Sequence, residues 1–227
     1  MIDLQKDYRI IDLSEEIVPD LLELNGDYTW GTHVRRFMLR EIMAKVDAMP
    51  MHFVEAETHI GTHVELPRHF KRDGKSGAEM PLEIFLGEAI VLNFDFLTPK
   101  DGKGQAIIPS HLSRVKEGDI VLMWSSYEGS ECPYISAEAI EWLAQRPIRM
   151  IGAEPSVQVE DPRSLEPEFP EAWAVHRYAL GNDIPILENL CNLKEIQKER
   201  VFFIGLPLRI LHLDSSWIRA IALEPLP

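Results

Sequence analysis

The amino-acid sequence predicts an α/β domain, and three observations carry that expectation. Short apolar runs alternate with helical patterns through the second half, 45% of the 227 residues are hydrophobic, and the length suits one core of ordinary size. Parallel strands need crossovers, and helices usually make them. A single domain spanning 1–227 is expected, since no repeat, low-complexity tract or Pro/Gly/Ser linker marks a boundary.

Strand signals fall at 9–13, 53–58, 89–94, 119–124, 149–152, 184–187, 201–204 and 218–223, several of them rich in Val, Ile and Phe. Helix candidates lie between them. They are 110–116, 136–145 behind the cap residue Ser136, and 171–180, entered at Pro170 and left at Gly181. A fourth is 192–198, where Asn192 can cap and Glu195 resembles the reciprocal half of a capping box. Residues 37–49 fit a helix through positions 38, 42, 46 and 49, while 34–39 alone fit a strand, and both readings stand. Loops rich in Gly, Pro and charge, at 71–78, 99–105 and 158–170, are expected at the surface.

Charge and hydropathy exclude some functions. With 23 Lys and Arg against 37 Asp and Glu, the net charge of −14 offers no basic excess for displacing counterions from phosphates, so nucleic acid is not an expected partner. The longest apolar stretch, 201–213, is interrupted by Gly205, Pro207, Arg209 and His212 and falls short of the roughly 20 residues of a membrane helix. The start MIDLQKDYRI lacks a basic, then apolar, then small-residue leader, so cytoplasmic residence is expected. Cys132 and Cys191 have no paired spacing and are expected to be free thiols.

Chemistry concentrates at 59–69, which holds His59, His63, Glu65 and His69. Imidazole and carboxylate are the ligand types of zinc and manganese. A helix is excluded, because Glu65 would lie about 200° around from His63 and Pro67 would break the turn. In an extended chain the four odd-numbered residues project to one side. Residues four apart on a straight strand stand roughly 13 Å apart, too far for two imidazoles to share an ion at about 2.0–2.1 Å. The chain must therefore bend, and Gly61 stands at the midpoint with the backbone freedom to do so. Thr62 can brace the corner, and Pro67 is expected to keep the segment from curling into helix. Glu188, in the mainly apolar run 186–190, would be costly as an unpaired carboxylate, so a cation is a reasonable partner. His176, between Trp173 and Leu180 on a helix, reads by itself as a packed histidine.

At these residues the chain resembles the cyclase family of metal-dependent hydrolases, which includes bacterial kynurenine formamidases and isatin hydrolases. The family signature His-x-Gly-Thr-His-x-Asp-x-Pro-x-His is matched by His59, Gly61, Thr62, His63, Pro67 and His69, with Glu65 in the acidic place. Ile11-Asp12-Leu13-Ser14 looks like the opening strand of the family. His176-Arg177 with Ile184-Pro185-Ile186-Leu187-Glu188-Asn189-Leu190 looks like its second metal-binding block. Leu206-Pro207-Leu208 and Arg219-Ala220-Ile221-Ala222 look like its closing strands.

The resemblance implies a swivelling β/β/α fold with a mixed sheet flanked by helices. It implies that His59, His63 and Glu65 hold one ion, that Glu65, His176 and Glu188 hold a second, and that His69 is free to move protons. Zinc or manganese, one ion or two, a small-molecule substrate and a homodimer or homotetramer follow on the same ground. Three departures stand out. Glu65 is one methylene longer than Asp, which moves a bridging carboxylate by about 1.5 Å and leaves one ion as an alternative. Trp30, the candidate for aromatic stacking, is followed directly by Gly31 where relatives have Trp-Pro-Gly. Glu154, in Gly152-Ala153-Glu154-Pro155-Ser156, stands where relatives usually have Asp.

The expected activity is hydrolysis of an aryl formamide or cyclic amide by metal-activated water, with His69 passing a proton to the leaving nitrogen. Opening of a lactone or lactam ring, or the reverse cyclisation, is the alternative. A non-catalytic metal-binding protein is the third reading, separable by a closed four-ligand site. Other chemistries lack their motifs: Gly129-Ser130 is no nucleophile elbow, Cys132 has no assignable base, and Asp101-Gly102-Lys103-Gly104 is too short for a phosphate loop.

Overall fold

A computed structural model describes residues 4–19, 29–30, 33–34, 37–43, 49–166 and 168–226. In chain order the strands are β1 (Tyr8–Asp12), β2 (Thr29–Trp30), β3 (His33–Val34), β4 (Phe37–Met43), β5 (Pro50–Ala56), β6 (His63–Glu65), β7 (Leu86–Asn93) and β8 (Ala106–Ile107). They continue with β9 (Ile120–Trp124), β10 (Tyr134–Ile135), β11 (Met150–Ala153), β12 (Ile186–Glu188), β13 (Arg200–Ile204), β14 (Ser215–Trp217) and β15 (Ile221–Pro225). Nine of them form one mixed sheet in the order β1-β15-β13-β7-β9-β11-β12-β6-β14. The centre, β7 to β12, is parallel. The flanks are antiparallel.

The pattern of the central strands explains their place. β9 reads IVLMW and β11 reads MIGA, continuous apolar runs that are covered on both faces. Alternate side chains of β9 divide between two cores. Val121 and Met123 pack with Ala139, Ile140, Leu143, Val175, Ala179 and Leu180 of the helices Ala137–Ala144 and Ala174–Gly181. Ile120 and Leu122 pack instead with Ile11, Leu13, Val64, Phe203 and Ala222. Since Ile11, Ala222 and Val64 come from strands at or next to the two ends of the order, the sheet curls over its own second face. The result is the α/β architecture with a mixed sheet and helices that is expected from the sequence, and the curl of that sheet is seen only in the structure.

Ser136 caps the first of these helices, its Oγ accepting from the amide of Ala139 at 3.1 Å, an interaction worth about 1 kcal/mol. Other helix expectations are corrected. Residues 110–116 form only a 3₁₀ turn, Pro109–Leu112, and 192–198 only another, Leu193–Glu195. Short segments cannot repay helix nucleation unless packing supports them. Asn192 takes a left-handed backbone and spends its side-chain amide on the carbonyl of Asp12 at 2.9 Å, so it does not cap. The helix expected from 171 begins at Ala174, after Trp173 in a left-handed conformation.

Of the undecided segment, Phe37–Met43 is a strand, β4, paired with β5, and residues 44–48 lie outside the described residues. Of residues 158–170, expected at the surface, Asp161 and Ser164 are buried and Glu160 faces the cavity described below. The backbone of Trp30 pairs with His33, while its side chain and Gly31 lie outside the described residues. Cys132 and Cys191 are free thiols. Among the described residues no helix is long and apolar enough to cross a membrane.

Candidate metal centre

The bend at Gly61 is present. Its φ is +59°, and a Cβ there would stand 2.7 Å from Cγ1 of Ile17, so both conformation and space favour glycine. Thr62 braces the corner, its hydroxyl donating to the carbonyl of Asn189 at 2.5 Å and accepting from the amide of Glu15 at 2.8 Å. The rings of His59 and His63 are thereby brought to 5.2 Å between centroids. His63 and Glu65 then lie on β6, buried between β12 and β14.

Register and a short helix supply the rest. Glu188 on β12 is directly opposite His63 on β6, with Oε2 3.7 Å from Nε2 of His63. Pro67 does not keep the chain extended. It opens a one-turn helix, Pro67–Phe70, because its fixed φ suits a first helical position. This turn carries His69 back until its Nε2 is 3.8 Å from Oε1 of Glu65, so helical spacing rather than strand parity places it. From the helix Ala174–Gly181, Nε2 of His176 reaches to 2.9 Å of Oε2 of Glu65 and 4.0 Å of Oε1 of Glu188.

Two acidic partners had no motif to announce them. Asp214, just before β14, accepts from Nε2 of His59 at 2.8 Å and from Nδ1 of His69 at 3.1 Å. Oε1 of Glu160 accepts from the backbone amide of His176 at 2.9 Å and from its Nδ1 at 2.7 Å. The first lies 145 residues from His69 and the second was hidden in an acidic loop read as surface.

The electrostatics follow from these contacts. Burial resists charge on His59, but the carboxylates of Asp214 and Glu65 outweigh it and push the pKa up to about 9. His176 is treated alike, burial being outweighed by Glu160 and Glu65, and reaches about 10. Glu65 is held well below the usual carboxylate range, since His176, His59 and His63 together overcome its burial. Hydrogen bonds from His59 and then His69 lower Asp214. Glu188 is pushed up by burial and by the neighbouring charge of Glu65.

The donor set fits a divalent cation. Nδ1 of His63 faces the carbonyl of Gly61 at 2.8 Å and must donate to it, which leaves Nε2 with a lone pair. That atom is buried without a hydrogen-bond partner, and so is Oε2 of Glu65. The 2.9 Å contact between Oε2 of Glu65 and His176 lacks the direction of a hydrogen bond. Orphaned lone pairs in a protein interior are costly, and a cation satisfies them. Ligand atoms of His59, His63 and Glu65 lie within 4.8 Å of one another, as do those of Glu65, His69 and His176, and of His59, His69 and Asp214. Glu188 faces the same cluster, with Oε2 3.7 Å from Nε2 of His63 and Oε1 4.0 Å from Nε2 of His176. A cavity of about 470 Å³ opens on His59, Glu65, His69, His176 and Glu188, and its remaining lining includes Glu154, Val157, Val159, Pro162 and Trp173.

A curled mixed sheet that gathers imidazoles and carboxylates beside an open cavity defines a site for metal-assisted chemistry, unlike the closed cage of a structural ion. The chain belongs to the cyclase family: the family model described as "Putative cyclase" matches residues 11–158. Kynurenine formamidase from Erythrobacter litoralis is 30% identical over 222 residues, covering 95% of this chain and 94% of that protein. Kynurenine formamidase from Bacillus cereus is 29% identical over 218 residues, covering 93% and 95%. Among solved structures, isatin hydrolase A from Labrenzia aggregata superposes with a TM-score of 0.75 at 23% identity, covering 96% of this chain and 94% of that one, and shares the fold.

Proposed function

We propose that the protein is a metal-dependent amidohydrolase that cleaves the C–N bond of an aryl formamide or a related cyclic amide. The observation that carries the reading is the pair of orphaned buried ligand atoms, Nε2 of His63 and Oε2 of Glu65, the second of them on a residue that lines an open cavity. Likeness to kynurenine formamidases over nearly the whole chain supports the amide as substrate.

In this reading His59, His63 and Glu65 hold one ion, and Glu65, His176 and Glu188 a second, with zinc and manganese both suited to the donors. When bound, a divalent ion brings the pKa of water toward about 7 and polarises a carbonyl oxygen. The chain's own groups do the rest. The carbonyl of Gly61 fixes which nitrogen His63 presents. Glu160 does the same for His176. Asp214 accepts a hydrogen bond from Nδ1 of His69, so Nε2 of His69, on the side of Glu65, is the atom that would hold a proton and pass it to a leaving nitrogen. Val157, Val159 and Pro162 give the cavity an apolar lining suited to an aromatic substituent.

The test is metal analysis of the purified protein joined to a hydrolysis screen over formyl anilides, cyclic imides, lactams and lactones, with and without a chelator. Formanilide turnover that disappears on chelation and returns with zinc or manganese is expected. Undiminished turnover by metal-free protein, or no turnover of any amide by loaded protein, would overturn the reading.

A further inference from the structure

We infer that Trp173 is the specificity-determining residue of this cavity, its indole serving as the platform that recognises the aromatic ring of the substrate. The inference rests on the aryl-amide reading above and deepens it.

The backbone supplies the first argument. Trp173 has φ +56° and ψ +34°, a region in which the Cβ of an L-residue crowds its own carbonyl. Glycine enters it freely, and Asn, Asp and His tolerate it better than most. The other non-glycine residues at positive φ, among those described, are Asp101, Asp183, Asn189, Asn192 and His212. Trp173 is the exception in kind. Its conformation is held where the chain enters the helix of His176: its amide donates to Oγ of Ser164 at 3.3 Å, and its carbonyl accepts from the amide of Arg177 at 3.0 Å.

The side chain supplies the second. Core packing does not account for a bulky residue at a strained position, because Trp173 is 36% exposed. Its ring stands nearly perpendicular to that of His176, at 79° with centroids 5.5 Å apart, and it lines the same cavity as the ligand cluster. An indole beside the reacting centre offers a flat apolar surface on which an aryl group can stack or lie edge-on. Strain kept at a cavity wall, where glycine would relieve it, marks a side chain retained for recognition.

The experiment compares metal-loaded wild type, W173F, W173A and W173G on formanilide and on N-cyclohexylformamide, its saturated counterpart. In W173A and W173G the KM for formanilide should rise about tenfold, with little change in kcat and little change in either constant for the cyclohexyl compound. W173F should keep most of the aryl preference. Because only glycine relieves the left-handed strain, W173G should melt about 2 °C or more above W173A. An aryl preference surviving intact in W173A, or W173G melting no higher than W173A, overturns the inference and leaves the amidohydrolase reading standing. If wild type hydrolyses neither formamide, the aryl-amide reading falls and takes this inference with it.

Discussion

Oδ2 of Asp214 accepts from Nδ1 of His69 at 3.1 Å, across 145 residues of sequence, and so decides which nitrogen of that imidazole faces the cavity. The same oxygen also takes Nε2 of His59 at 2.8 Å. One carboxylate thus orients both a candidate proton carrier and a candidate ligand.

Replacement of His69 should therefore remove turnover while sparing the metal. We expect H69A to lower kcat by about 10² to 10⁴, the usual range for general acid-base assistance, with metal content unchanged. D214N, which keeps an acceptor oxygen but loses the charge, should lower kcat by a smaller factor. Steady-state kinetics and metal analysis on the same preparations decide the matter, and an H69A enzyme within about threefold of wild type removes His69 from the mechanism.

Gly61 is the next test, because the bend is the local device that makes the site. G61V puts a β-branched residue at φ +59° and a Cβ 2.7 Å from Ile17. The protein should keep most of its fold by circular dichroism and lose bound metal. Full metal occupancy in this variant contradicts the bend as the organising feature.

Glu160 should act on metal affinity through His176. The other ring nitrogen of a metal-bound histidine commonly donates to a carboxylate, and loss of such a partner typically costs about 10- to 100-fold in affinity. E160A is expected in that range, and E160Q, which retains an acceptor, less. Competition with a chromogenic chelator measures both. H176A is the reference: if it loses metal and E160A does not, Glu160 has no part in orienting the ligand.

Acid should destabilise the fold through a group far from the cavity. Glu224 is buried, which opposes its charge, but the amides of Lys198 and Gln197, at 2.8 and 2.6 Å, and the guanidinium of Arg9, at 3.0 Å, more than offset this and lower its pKa from the ordinary 4.5. Above 4.5 the carboxylate is charged whether the chain is folded or not, and its stabilisation is complete. Below 4.5 the unfolded chain takes up the proton first, so stability falls until the folded-state pKa is passed. E224Q should cost about 1–3 kcal/mol at neutral pH and flatten the melting curve between about pH 5 and 3. Equal acid sensitivity in both proteins would show that other carboxylates govern it.

Much of the site was legible because it is local. His59, Gly61, His63 and Glu65 lie within seven residues, and the requirement that two imidazoles meet one ion dictates a corner that only glycine takes without strain. Apolar runs likewise marked 119–124 and 149–152 as strands, which became β9 and β11, and Ser136 announced its helix. The resemblance to a known family added His176, which by itself reads as a packed histidine, and joined it to Glu188, for which the apolar run already made a cation a reasonable partner.

What only the tertiary structure decided depends on register and on distant partners. Pairing of β12 with β6 sets Glu188 opposite His63, and a slip of one residue would turn Glu188 to the other face. Pro67 could stop a helix or start one, and the turn it starts is what returns His69 to Glu65. Asp214 and Glu160 carry no motif, because each meets its histidine only in the folded chain, and nothing in the spacing around Trp173 marks it as part of a cavity wall. Sequence therefore determined the candidate ligands that share one stretch of backbone, whereas folding chose the acids beside them, since only the packed sheet and helices bring such distant groups within a few ångströms.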